Sequence, residues 1–159
     1  MLEVASFILT VLGLIIMGYN SWAIHDVRNR ILKKQEIKQL KEIFSLSKDV
    51  QKKFGKYSTQ QETNLKRIPW RKDAESLNKF ITIFNNEQSL IIRMVKIDIN
   101  EINEIYKKLN GYVKTFIDGG ENGDITKIIE ISEQIRLVMD SITPKINDIV
   151  KKNNVEEIV

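Results

Sequence analysis

Twenty-one consecutive residues near the start, 4–24, VASFILTVLGLIIMGYNSWAI, carry no charge, and a basic segment follows them at once. No other feature restricts the fold as strongly. As a helix rising 1.5 Å per residue the stretch reaches about 31 Å, close to the roughly 30 Å hydrocarbon thickness of a bilayer. Tyr19 and Trp22 stand near its C-terminal end, where amphipathic rings favour the headgroup level. Asn20 and Ser21 beside them would cost more at any greater depth. These residues are expected to form a single membrane-spanning helix with its C-terminal end at the interface.

Charge sets the expected orientation. Before the apolar run stands Glu3; after it come Arg28, Arg30, Lys33, Lys34, Lys38 and Lys41. Cytoplasmic flanks carry the excess of Lys and Arg, so the N-terminus is expected outside and the remainder in the cytoplasm. Arg28, Arg30, Lys33 and Lys34 are then placed to meet anionic lipid headgroups, at about 1 kcal/mol each. A secretory signal peptide is the competing reading, since Ser21 and Ala23 have the spacing of a cleavage site. Against it, the n-region lacks Lys and Arg and the apolar run is longer than a usual signal core. A buried soluble helix fits less well, because a chain this small rarely hides a helix that is apolar all round. Within the stretch Ser6 and Thr10 have small-xxx-small spacing but no GxxxG is present, so the local signal for self-association is weak.

Residues 25–159 are enough for one modest all-α domain. Residues 25–72 hold 14 Lys/Arg against 5 Asp/Glu, while residues 73–159 hold 11 against 15, so a basic half can pack on an acidic one. There is no Cys, which excludes disulfides and thiolate chemistry. Ile outnumbers Leu by 26 to 12 beside abundant Lys, a usage that suggests an AT-rich bacterial genome and hence a bacterial plasma membrane.

Apolar periodicity predicts the helices. Ile24, Val27, Ile31, Ile37, Leu40, Phe44, Val50 and Phe54 continue the first helix over 25–54, with Gly55 as its stop. Thr59 and Glu62 have capping-box spacing and open a short helix over 59–67, before Ile68-Pro69. From Trp70 an apolar residue recurs every seven: Trp70, Leu77, Phe84, Ile91, Ile105 and Tyr112, with Ala74, Ile81, Val95, Ile102, Leu109 and Phe116 beside them. That phase predicts one long central helix over 70–117, continuous through Asn85-Asn86, although Val95, Ile97 and Ile99 alternate locally. A second stripe, Phe80, Ile83, Leu90, Met94 and Ile97, widens the apolar arc beyond a two-stranded seam, as in an antiparallel bundle with coiled-coil-like packing. Asp98, in the seam, reads as a register-setting polar residue rather than a functional carboxylate. DGGENGD, 118–124, is a loop in which Gly ends one helix in the left-handed region and Asp124 caps the next, over 125–152, with a kink or restart at Thr143-Pro144. A calcium loop is disfavoured, because Gly120 occupies a ligand position and Ile129 stands where a bidentate Glu is required.

Catalytic constellations are missing from the pattern. His25 is the single His, which rules out a histidine metal site or a Ser-His-Asp triad within one chain. Asp98, Glu101 and Glu104 read as a solvated acidic face, and no phosphate-cradling glycine loop is present. No enzyme activity, cofactor or metal is expected. One sharper feature remains: Lys66, Arg67, Arg71 and Lys72 surround Pro69-Trp70, offering charge and a stacking surface to a nucleotide, a nucleic acid or lipid headgroups. The plain alternative is that Trp70 starts the core stripe and the cations are solvated. The expected function is a membrane-anchored helical interaction or scaffold protein that is a homo-oligomer or has a helical protein partner. The alternative is an effector whose basic turn senses an anionic ligand and perturbs the bilayer on oligomerisation.

Overall fold

The computed structural model describes the backbone of residues 2–59 and 69–156, and the side chains of 12–57 and 69–153. Five helices account for it: α1 Leu2–Thr59, α2 Trp70–Asn86, α3 Gln88–Val95, α4 Ile99–Asn122 and α5 Ile125–Glu156. No strand occurs among the described residues. The chain divides into two compact units, Met1–Lys38 and Gln39–Val159, with the boundary inside α1.

The second unit is a four-armed antiparallel bundle in which α2 and α3 form one arm. Gln51 of α1 bonds Asp140 of α5, Tyr57 of α1 bonds Asp73 of α2, and Lys145 of α5 pairs with Glu101 of α4 at 2.5 Å. These contacts fix α1 antiparallel to α2 and α5, and α5 antiparallel to α4. The core is one cluster that includes Leu40, Ile43, Phe54, Leu77, Phe84, Ile102, Leu109, Phe116, Ile135 and Ile146. Nearly all the predicted seam residues lie in this core or pack against it. At one end Phe116 meets Phe54 with ring centroids 5.0 Å apart and Tyr57 edge-on at 5.4 Å.

Four boundaries differ from the sequence expectation. First, α1 does not stop at Phe54 but runs through Gly55 to Thr59. Gly55 costs a helix interior about 1 kcal/mol relative to Ala, whereas burying Tyr57 against two rings with its hydroxyl bonded is worth more. The helix expected over 59–67 otherwise lies outside the described residues, and Thr59 itself closes α1.

Second, the long helix over 70–117 is three. Glu87 is a single non-helical residue after Asn86, and the full break comes at residues 96–98. There Lys96 is left-handed (φ 57°, ψ 38°) and Asp98 is extended (φ −65°, ψ 146°). Asp98 sets no register: its carboxylate accepts the Asn100 N–H at 2.7 Å and caps α4. The seven-residue phase survives the break because the α2–α3 arm and α4 fold back and present the same stripe to a common core. Periodicity reports which face is buried, not whether the helix is continuous. The local Val95, Ile97, Ile99 alternation marked the interruption.

Third, α4 continues to Asn122, so the connection to α5 shrinks to Gly123 and Asp124. Gly123 (φ 66°) takes the left-handed cap, and Asp124 accepts the Lys127 N–H at 3.0 Å, as the loop chemistry predicts. Fourth, α5 passes Pro144 without a break and ends at Glu156. Ile142 and Ile146, buried on either side of Pro144, hold that turn in the bundle.

Candidate membrane and ligand surfaces

In the first unit, the described side chains from Leu12 to Ile24 are exposed except for half-buried Ala23. Leu14, Ile15, Ile16 and Met17 are consecutive, so at 100° per residue they point to every side of the helix. Tyr19 and Trp22, both exposed, form a tilted ring pair with centroids 6.2 Å apart. Among the described residues no helix is long and apolar enough to cross a membrane. Of the uncharged stretch 4–24, residues 12–24 belong to that described set.

The first charges follow. Arg30 pairs with Asp26 at 2.8 Å one turn back, both on the surface. Arg28 and Lys34 are exposed, as is Lys33. His25 accepts at Nδ1 from the Asn29 side-chain amide at 3.0 Å, a local helix contact. From Ala23 onward a shallow apolar cleft of about 600 Å³ runs along this helix, lined by Ile24, Val27, Ile31 and Leu32 and edged by Arg28 and Gln35.

The basic turn is described in part. Lys66 and Arg67 lie outside the described residues, Lys72 is exposed, and Trp70 is half-buried. The indole lies against Gly120 of α4: a Cβ on Gly120 would stand 2.5 Å from Trp70 Cδ2. Arg71 places its Cζ 5.1 Å from the same ring's centroid. Trp70 is therefore the first residue of the core stripe, and its ring is shared between α4 backbone and the Arg71 guanidinium. The two small clefts beside it are lined by Glu121, and one also by Glu75. The described part of the turn thus sets Arg71 beside two carboxylates, and any phosphate there would depend on Lys66, Arg67 and Lys72.

One pair escaped the sequence reading. Tyr57 donates its hydroxyl to Asp73 at 2.6 Å, and both side chains are buried. Burial first, then the bond to Asp73 and the Asp73 charge, push the Tyr57 hydroxyl far above the ordinary tyrosine range. The available signal was an acid one turn before Leu77 on the apolar face of α2. The pair ties the end of α1 to the start of α2. At the α4–α5 turn, by contrast, Asp118 accepts from Lys127 at the surface, which lowers the Asp118 carboxyl and raises the Lys127 ammonium from their ordinary values. Among the described residues no group of three or more His, Asp or Glu could hold a metal ion. No protein family, no curated protein and no solved structure matches the chain.

Proposed function

We propose that the chain is a single-pass membrane protein whose helical bundle works as an interaction module at the cytoplasmic membrane face. Residues 4–24 cross the bilayer with the N-terminus outside, and Tyr19 and Trp22 sit at the cytoplasmic headgroup level. Arg28, Arg30, Lys33 and Lys34 meet anionic lipids, and residues 39–159 engage other copies or a helical partner.

One observation carries this reading: Leu14, Ile15, Ile16 and Met17 are between 59% and 71% exposed on all sides of one helix. Leaving each such side chain in water forfeits roughly 1.5 to 3 kcal/mol. A protein neighbour covers one stripe of a helix, whereas hydrocarbon covers its whole circumference. The charge step from residues 4–24 to the Arg and Lys that follow supports the orientation.

Alkaline carbonate extraction of cell membranes tests the anchor: the chain is expected to stay in the pellet, and release of the intact chain rejects the reading. Orientation is tested by Ser141→Cys, an exposed position in a chain with no other Cys. An impermeant maleimide should label it only after the cells are opened. Labelling on intact cells rejects a cytoplasmic bundle.

A further inference from the structure

The apolar surface of α1 does not end where the uncharged stretch ends. Ile24, Val27 and Ile31 are 70%, 55% and 52% exposed, although they stand among Asp26, Arg28, Arg30, Lys33 and Lys34. Their spacing of three and four places them on one face, and Met17 and Asn20 continue that face backwards at the same interval. The cleft described above is centred on it. Lys34 and Lys38 occupy the next two positions in phase and end the apolar run. Lipid explains Met17 but not Ile24, Val27 and Ile31, which lie in the charged segment. Asn20 is the reverse case: its amide is exposed within the uncharged stretch, where hydrocarbon offers it no hydrogen-bond partner.

We propose that this face pairs with the same face of a second copy, in parallel and in register, through Met17, Asn20, Ile24, Val27 and Ile31, with the two Asn20 amides hydrogen-bonded to each other across the seam. The inference rests on the membrane reading above, because insertion in one orientation makes every α1 parallel to its neighbours and holds the same residues at the same depth. Charge then selects the occupant. With Ile24 and Ile31 at the first seam position and Val27 at the second, Arg28 stands beside Ala23 of the partner subunit, and Arg30 beside the partner's Gln35. No like charges oppose across the seam, and Arg30 is already neutralised by Asp26 within its own helix. Three apolar positions are too few to hold a dimer together in water, so the membrane must supply the concentration and Asn20 the specificity.

The absence of native Cys permits a direct test with the full chain in its own membranes. Single cysteines are placed on the face, Ile24→Cys, Val27→Cys and Ile31→Cys, and on the opposite face, His25→Cys, Asn29→Cys and Lys33→Cys, and oxidised with copper phenanthroline. Disulfide-linked dimer should form about 5-fold more at the first three positions, and Asn20→Leu added to Ile24→Cys should lower its yield about 3-fold. Equal or absent cross-linking at all six positions, in membranes from which carbonate does not release the chain, overturns the pairing and leaves the anchor standing. Release by carbonate defeats the anchor instead. A cross-linked band of heterodimer size on the apolar face overturns the second copy as occupant in favour of a foreign helix.

Discussion

Gly120 and Gly111 lie in the same helix, α4, and the structure gives the same substitution opposite signs at the two sites. At Gly111 a Cβ meets nothing within 4 Å. Alanine there removes backbone entropy from the unfolded chain and should raise stability by about 0.5 to 1 kcal/mol. At Gly120 the added Cβ would stand 2.5, 2.6 and 2.8 Å from three carbons of the Trp70 indole, too close for carbon atoms to remain. The bulky ring must move, and overpacking of that kind costs about 1 to 3 kcal/mol, against a helix-propensity gain of at most about 1. The net expectation is destabilisation of about 1 kcal/mol or more. Urea unfolding of the full chain in detergent, followed by helical circular dichroism, measures both. In a Trp70→Ala background the clash is absent, and Gly120→Ala should then stabilise as Gly111→Ala does. If Gly120→Ala matches Gly111→Ala while Trp70 is present, the indole does not lie on α4 and the account of the turn at Pro69-Trp70 is wrong.

Tyr57→Phe leaves the buried Asp73 carboxylate without its donor and should cost about 1 to 3 kcal/mol at neutral pH. Because the folded structure holds the Tyr57 hydroxyl above its unfolded value, its contribution is complete below the ordinary tyrosine value of about 10 and lost as pH rises past it. The unfolding midpoint of wild type should therefore fall more steeply between pH 9 and 11, by order of magnitude of these values, than that of Tyr57→Phe. Asp98→Ala should lower stability by about 1 kcal/mol through loss of the α4 cap, with Asp98→Asn retaining most of it, in the same urea assay. At the α4–α5 turn, Asp118 is held below the ordinary carboxylate value by Lys127, so that contact contributes above about pH 4 and is lost as pH falls through the Asp118 titration. In Lys127→Gln the Asp118 carboxyl, followed by NMR, should titrate closer to its ordinary value.

Much of the bundle is legible in the residues themselves. The 3.6-residue periodicity of Leu77, Phe84, Ile91, Ile102, Leu109 and Phe116 identifies helices and the face each buries, and these residues do form the core. Gly123 and Asp124 behave as their chemistry dictates, because a left-handed cap and a side-chain acceptor are local properties. Helix ends were less readable. Gly55 does not stop α1, and Pro144 does not interrupt α5, because buried Tyr57, Ile142 and Ile146 outweigh their local preferences. The break at residues 96–98 was obscured because both arms keep the same phase. Of the basic turn, sequence showed the cations but not Glu75 and Glu121, which approach from one turn along α2 and from the far end of α4.

The residues alone determined that this chain is helical, which faces are apolar, and that 21 uncharged residues precede a basic segment, since composition and period are local and additive. Only the tertiary structure decided that the central seam is two antiparallel arms, that Asp98 is a cap, and that Tyr57 bonds Asp73. Each depends on the free energy gained when segments distant in sequence meet, and that gain overrides the preference of any one turn of helix.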